Sequence, residues 1–369
     1  MKIALFVPGG VDRSGTERVI PCLLALIDRL VCRGHEVHVF AAAQEPKPGS
    51  WPLLGATVHN AGGRRRRVRM VGAFLREHRR GRFDVIHGLW AGMGAIGALA
   101  SQFARVPMVL TLIGGDVVRF PDIGYGSQGS FLGRLMTGYA TQSAVAITTE
   151  SGAMSALAAK LGIAAMPVAL GVDVQAWPVL APRERAPGAP VRLLHVGSLN
   201  RVKDQPTLLR SLAILREAGV DFELEVVGVD TLSGAIHRLA AELGLENRVR
   251  FRGYLPHSRL REYFERADIL VVSSIHEGAP VVMLEAAIAG VPTVGTQVGH
   301  VADFAPGAAV AVPVGDPASL AEAIRDLAGD EPRRLRLASA AQARARRIDA
   351  DFTAETMLRL YSGESVTAA

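Results

Sequence analysis

Cysteine is nearly absent from this 369-residue chain, which holds only Cys22 and Cys32. They form no C-x-x-C pair and no metal-ligand spacing, so a disulfide scaffold and a cysteine-zinc fold are excluded. Both lie in one apolar, helix-like run and are expected to be reduced core thiols, as suits a cytoplasmic protein. Aromatic residues make up 5% of the chain, without the interleaving among arginines that a base-stacking platform needs. Nucleic acid is therefore not expected as a partner. Residues 85–104 lack Asp, Glu, Lys and Arg, but Gly88, Gly92, Gly94 and Gly97 interrupt them. They read as a strand, a loop and a buried helix, not as a membrane span. The six apolar residues that end in Pro8-Gly9-Gly10 are too short for a signal peptide and read as a first strand.

Several catalytic signatures are missing too. The one Asp-x-Asp, Asp349-Ala350-Asp351, lies in a polar break between helical stretches and does not read as a metal site. His276-Glu277 lacks the second histidine of H-E-x-x-H. Gly126-Ser127-Gln128-Gly129 misses the nucleophile elbow because position 125 is Tyr. The loop after the first strand is neither a G-x-G-x-x-G fingerprint nor a Walker loop.

What is present is an α/β alternation in a chain too long for one ordinary core. Strand-like segments at 3–7, 36–41, 57–60, 85–88, 108–112 and 145–148 alternate with helical stretches such as 17–31. Pro178, Pro182, Pro187 and Pro190 then mark a linker. A second alternation has strands at 191–197, 222–227, 249–253, 269–273, 293–295 and 309–314. The expected organisation is an N-terminal domain 1–173, a linker 174–190, a C-terminal domain 191–345 and a helical segment 346–369 packing back on the first domain. Each domain is expected to be Rossmann-like and doubly wound, the two facing a central cleft with ligands at the carboxyl ends of the strands.

The net charge is +6 and unevenly spread. Arg64, Arg65, Arg66, Arg67 and Arg69 cluster, followed by Arg76, Arg79, Arg80 and Arg82. Such a face is either simply solvated or drawn to an anionic membrane surface or a phosphate-bearing acceptor.

The most informative stretch runs from Ser274 to Ala286. A β-branched apolar run precedes it, as a buried parallel strand should. Pro280 suits a first helical turn. The N–H groups of Ala279, Val281 and Val282 are expected to point out of the helix start, where phosphate binds. Glu285 lies about 7 Å further along the axis and can accept hydrogen bonds from ribose hydroxyls. Glu277 can meet hydroxyls on the other side of that phosphate. The order ribose, diphosphate, sugar is that of a nucleotide sugar.

Other loops follow strand ends, and each also reads as an ordinary turn. In the loop after 191–197, Lys203 can balance a leaving diphosphate with help from Arg201. The backbone around Tyr254 can read a base edge. In Thr111-Leu112-Ile113-Gly114-Gly115-Asp116 the last residue either holds acceptor hydroxyls or caps a helix.

Together these residues resemble glycosyltransferase family 4, retaining enzymes with the GT-B fold, over nearly the whole chain. The stretch from Glu277 to Pro292 matches the E-x7-E motif and its flank. Val196-Gly-Ser-Leu-Asn-Arg-Val-Lys203, Phe251-Arg-Gly-Tyr-Leu-Pro-His257, Asp84-Val-Ile-His87, Ser14-Gly-Thr-Glu-Arg18 and Gly171-Val-Asp173 are similar to its other motifs. The resemblance implies that Glu277 contacts the donor sugar, Glu285 binds ribose, and Gly278, Ala279, Pro280, Val281 and Val282 cradle the diphosphate. It implies that Lys203 neutralises that group beside Gly197, Ser198 and Arg201, and that Tyr254 lies at the base. Gly15 would lie under the donor. Thr16, His87, Gly114 and Asp116 would face the acceptor. No metal or cofactor is expected, since Lys203 and the helix start would do the work of a divalent ion.

Two departures stand out. Ser198 replaces a frequent arginine, and Ile113 a frequent histidine. The second suits a mechanism in which the leaving phosphate takes the acceptor proton. The expected function is transfer of a sugar from a nucleotide-diphosphate sugar to a glycan or lipid-linked acceptor in bacterial polysaccharide or glycoconjugate synthesis. The expected location is the cytoplasm, at the inner face of the plasma membrane. A sugar-nucleotide epimerase and a catalytically silent nucleotide-sugar binder are the alternatives.

Overall fold

The structure is a computed structural model that describes residues 1–177 and 179–364. Pro178 of the expected linker and residues 365–369 of the last segment lie outside the described residues. The chain forms two compact units, one of Met1–Asp173 with Ile348–Ala369 and one of Val174–Arg347.

In the first unit the strands are β1 (Lys2–Val7), β2 (Glu36–Ala41), β3 (Gly49–Leu53), β4 (Ala56–Asn60), β5 (Val85–Leu89), β6 (Met108–Leu112), β7 (Ala146–Thr149) and β8 (Met166–Pro167). Among the described residues they form one sheet in the order β3-β4-β2-β1-β5-β6-β7-β8. Neighbours run parallel except β3, which is antiparallel to β4. Every residue of β5 and β6 is buried, as parallel strands covered on both faces must be.

The sequence reading missed β3. Gly49 and Pro52 weaken a strand pattern, and proline is tolerated there because β3 lies at the sheet edge. The first helix begins at Pro21, not at Glu17. Arg18 takes a left-handed backbone (φ 49°) and pairs with Asp12, which keeps the preceding residues in a loop. Cys22 is buried as expected, whereas Cys32, at the end of that helix, is exposed.

The pattern at 335–360 resolves into two helices, Glu331–Ala345 and Ala350–Tyr361, with a tight turn between. The second belongs to the first unit and packs on helix Pro21–Cys32. Buried Arg29 holds it, with guanidinium nitrogens 2.5 Å from Asp173 and 3.2 Å from Asp351. Asp349 caps the same helix by accepting the Phe352 N–H. The Asp-x-Asp is thus structural. Gly171 crosses Asp349 so closely that a Cβ there would lie 2.2 Å from the Asp349 carbonyl carbon.

In the second unit the strands are β9 (Val191–Val196), β10 (Phe222–Val227), β11 (Val249–Gly253), β12 (Ile269–Val272), β13 (Thr293–Thr296) and β14 (Val310–Val312). All pair parallel, in the order β11-β10-β9-β12-β13-β14. Leu193, Leu208, Leu212, Phe222, Leu224 and Ile269 fill its core. The strand order reverses between β9 and β12, as it does between β1 and β5 in the first unit. Beyond the carboxyl ends of such strands the loops diverge and leave a crevice for ligands. Among the described residues no helix is long and apolar enough to cross a membrane.

Candidate active site

The loops after β9 and β12 flank the reversal point of the second unit and are stitched together. Ser273 Oγ donates to the Lys203 carbonyl at 2.8 Å, and the Ile275 N–H donates to the Val202 carbonyl at 2.8 Å. Asn200 Oδ1 accepts the N–H groups of Val202 and Lys203, which folds the first loop back on itself. The side chains then meet: Lys203 Nζ lies 2.5 Å from Glu277 Oε1, which also accepts Ser274 Oγ–H at 2.6 Å. Both partners keep some exposure, 22% for Lys203 and 14% for Glu277. A partly wet ion pair contributes little stability but holds both groups in place.

Two glycines make room for this arrangement. A Cβ on Gly197 would press on Lys203 Cε at 3.2 Å. Gly299 (φ +46°) abuts the Gly278 carbonyl and Pro280, where a Cβ would come within 2.8 Å. Gly278, Ala279 and Pro280 are therefore packed from behind. Helix Val281–Ile288 starts one residue later than the proline suggested, with Pro280 as the residue before the first turn. The N–H groups of Val281 and Val282, in that turn, have no intrahelical acceptor. Ser198 is half-buried, its carbonyl held by Gln205 Nε2, while Arg201 and Tyr254 are exposed on their loops.

Glu285 does not join the Lys203–Glu277 pair. Its side chain is 7% exposed, and Oε1 accepts a hydrogen bond from His257 Nε2 at 2.7 Å. The imidazole stacks on Trp177 at 4.7 Å, and Trp177 Nε1–H donates to the Glu285 carbonyl at 3.2 Å. Sequence reasoning missed Ser274 and Trp177 and gave His257 no role. The contacts of His257 and Trp177 with Glu285 bridge 28 and 108 residues, so no local pattern announces them.

In the first unit the expected acceptor-side residues separate. Gly15 and Thr16 lie on the loop after β1, half-buried and exposed. Gly114 opens a short turn after β6 and donates its N–H to Glu150 at 3.1 Å. His87 is a correction: it is fully buried, with Nδ1 2.6 Å from the Tyr361 hydroxyl and Nε2 2.7 Å from Thr111 Oγ1. Burial pushes its pKa down to about 3, so it stays neutral. Asp116 is a second correction. Its Oδ2 accepts the N–H groups of Ala91 (2.7 Å) and Ile113 (3.0 Å), and burial raises its pKa to about 6. It caps the start of helix Ala91–Ala104, the second of its two expected roles. Among the described residues no cluster of three His, Cys, Asp or Glu side chains has metal-binding geometry.

Comparison with known proteins gives the class first. The chain matches Anabaena Alr3699/HepE in complex with UDP-glucose at 19% identity and TM-score 0.76, over 98% of this chain and 100% of that one. The fold is GT-B. Residues 19–170 match a Glycosyl transferase 4-like domain, and residues 180–344 match Glycosyl transferases group 1. D-inositol 3-phosphate glycosyltransferase 1 of Catenulispora acidiphila is 30% identical over 361 residues, covering 89% of this chain and 85% of that protein. The D-inositol 3-phosphate glycosyltransferase of Thermomonospora curvata is 34% identical over 188 residues, 47% of this chain but only 43% of that protein. The chain belongs to the group 1 glycosyltransferases, with a 4-like first half.

Proposed function

We propose that this protein is a retaining, metal-independent family 4 hexosyltransferase. It moves a sugar from a nucleotide-diphosphate sugar to a glycan or lipid-linked acceptor, in bacterial polysaccharide or glycoconjugate synthesis. The observation that carries this reading is the pairing of Lys203 with Glu277 beside the start of helix Val281–Ile288. One cation, a set of open N–H donors and a hydroxyl-binding carboxylate suit the joint between a diphosphate and a sugar. The UDP-glucose bound to HepE supports the same donor class.

In this mechanism the bond between the anomeric carbon and the β-phosphate oxygen breaks, and the acceptor oxygen bonds to the same face of the sugar. The acceptor proton passes to the departing phosphate oxygen, so no side-chain base is required. Ile113, buried and apolar, fits that requirement. Lys203 and the N–H groups of Val281 and Val282 stabilise the charge growing on the diphosphate, and a cation fixed in advance lowers the barrier most. Glu277, steadied by Ser274, binds sugar hydroxyls, and Glu285 binds the ribose. On the acceptor side the proposal keeps Thr16 and Gly114 and drops His87 and Asp116.

The protein acts in the cytoplasm against the inner face of the plasma membrane. Arg64, Arg65, Arg66 and Arg67 form no ion pair among the described residues and crowd the uncapped start of helix Arg66–Arg80. Phe131, Leu132 and Leu135 expose 75%, 52% and 58% of their surfaces on helix Phe131–Ser143. Basic and apolar surface together suits an anionic bilayer.

A thermal-shift panel of UDP-, GDP- and ADP-sugars tests the donor assignment, because a bound donor stabilises by RT ln(1 + [L]/Kd). Anomeric NMR of the product tests retention, and the rate in EDTA tests metal independence. An inverted product, or loss of rate in EDTA, overturns that part of the reading. A changed sugar nucleotide formed without acceptor would mark an epimerase instead. Sedimentation with vesicles that ignores lipid charge and salt would remove the membrane contact.

A further inference from the structure

We infer that His257 and Trp177 set the donor site's selectivity for ribose by locking the carboxylate of Glu285; the inference rests on the donor reading above. Oε1 of Glu285 is taken by His257 at 2.7 Å. Oε2 makes no hydrogen bond among the described residues. It is not sealed in either, since the sealed partnerless side-chain atoms among the described residues are Gln205 Oε1 and His300 Nε2. One oxygen therefore serves the protein and the other is held open. A carboxylate has about four acceptor sites, enough for His257 and a vicinal diol together.

The lock is a closed triangle. Trp177 donates to the Glu285 backbone, its ring carries the His257 imidazole, and His257 holds the Glu285 side chain. Trp177 is itself wedged edge-on against Phe264 at 5.5 Å and is only 4% exposed. His257 is the first residue of helix His257–Arg266, so its backbone is anchored as well. A carboxylate this buried, with one oxygen unmet, favours a ligand that brings a hydroxyl donor. It penalises one that does not, because the acceptor is then left unpaired. His257 is a positioning residue: it acts through Glu285.

The test measures Kd by calorimetry for UDP, GDP and ADP and for their 2′-deoxy counterparts. Wild type should prefer the ribose form of the nucleotide it binds by at least about tenfold, the worth of one hydrogen bond to a charged group. His257→Ala should weaken the ribonucleotide and reduce that preference below about threefold, leaving the deoxynucleotide nearly unchanged. His257→Gln, whose amide N–H reaches the Nε2 position, should restore most of the preference. Melting temperatures of all variants confirm folding. Equal weakening of both nucleotides, or an unchanged preference in a folded His257→Ala, overturns the inference and leaves the donor reading intact. If wild type binds none of the three ribonucleotides, the donor reading itself falls.

Discussion

At the ends of β9 and β12, Lys203 and Glu277 are partly exposed and pair with each other. Within β5 and just after β6, His87 and Asp116 are buried and bonded within their own unit. Both sets belong to parallel strands, or the loops after them, at or next to a reversal of strand order. In the second unit the charged side chains retain water contact, so a ligand can displace it. In the first, polar side chains close the fold behind the loops. The same kind of motif residue therefore stays open to a ligand in one unit and serves construction in the other.

The strongest way to break this contrast is Arg29→Ala. It would strand Asp173 and leave Asp351 with Arg33 alone, and should cost about 3 kcal/mol of stability in urea unfolding. An unchanged midpoint would mean that the first unit does not depend on its buried charges. Lys203→Ala probes the other side. It should lower kcat by about 100-fold or more with little change in melting temperature. Wild-type turnover in that variant would remove Lys203 from the chemistry.

Acid sharpens the contrast further. The folded pKa of His87, about 3, lies below its ordinary 6.5. Its contribution to stability is complete above pH 6.5 and drains away as pH falls toward 3. Asp116 has the opposite sign: its pKa is raised from 3.8 to about 6, so its contribution is lost as pH rises through that window. Between pH 4 and 6 the two contributions oppose each other, so Asp116→Asn, which removes one of them, should make stability fall more steeply with acid in that window. A slope identical to wild type would show that Asp116 is not held as described. The smallest effect belongs to Arg201→Ala, where an exposed side chain should change kcat by less than about threefold.

The central strands were legible because β-branched and apolar runs covered on both faces leave a continuous signature, as in β6 and β12. The edge strand β3, with its glycine and proline, carries no such signature. The start of the first helix was legible in principle, since Pro21 stands at its first position. The E-x7-E spacing located both glutamates but not their partners. His257 reaches Glu285 only after β12 and β11 have been laid into one sheet. Residue type also says nothing of depth: Asp84-Val-Ile-His87 reads the same whether the imidazole faces a ligand or, as here, the Tyr361 hydroxyl.

The first unit is not continuous in sequence. Its last helix, Ala350–Tyr361, supplies the Asp351 that neutralises Arg29 and the Tyr361 that satisfies His87. On the ribosome this helix emerges only after all of the second unit. The usual order, in which an N-terminal domain folds first, is therefore inverted at the final step. The nascent first unit must wait with Arg29 Nε and His87 Nδ1 still lacking their last partners, and Gly171 keeps open the crossing through which the late segment enters. A stop codon near residue 348 would spare every donor-site residue named above, yet it would leave the first-made half of the protein unfinished.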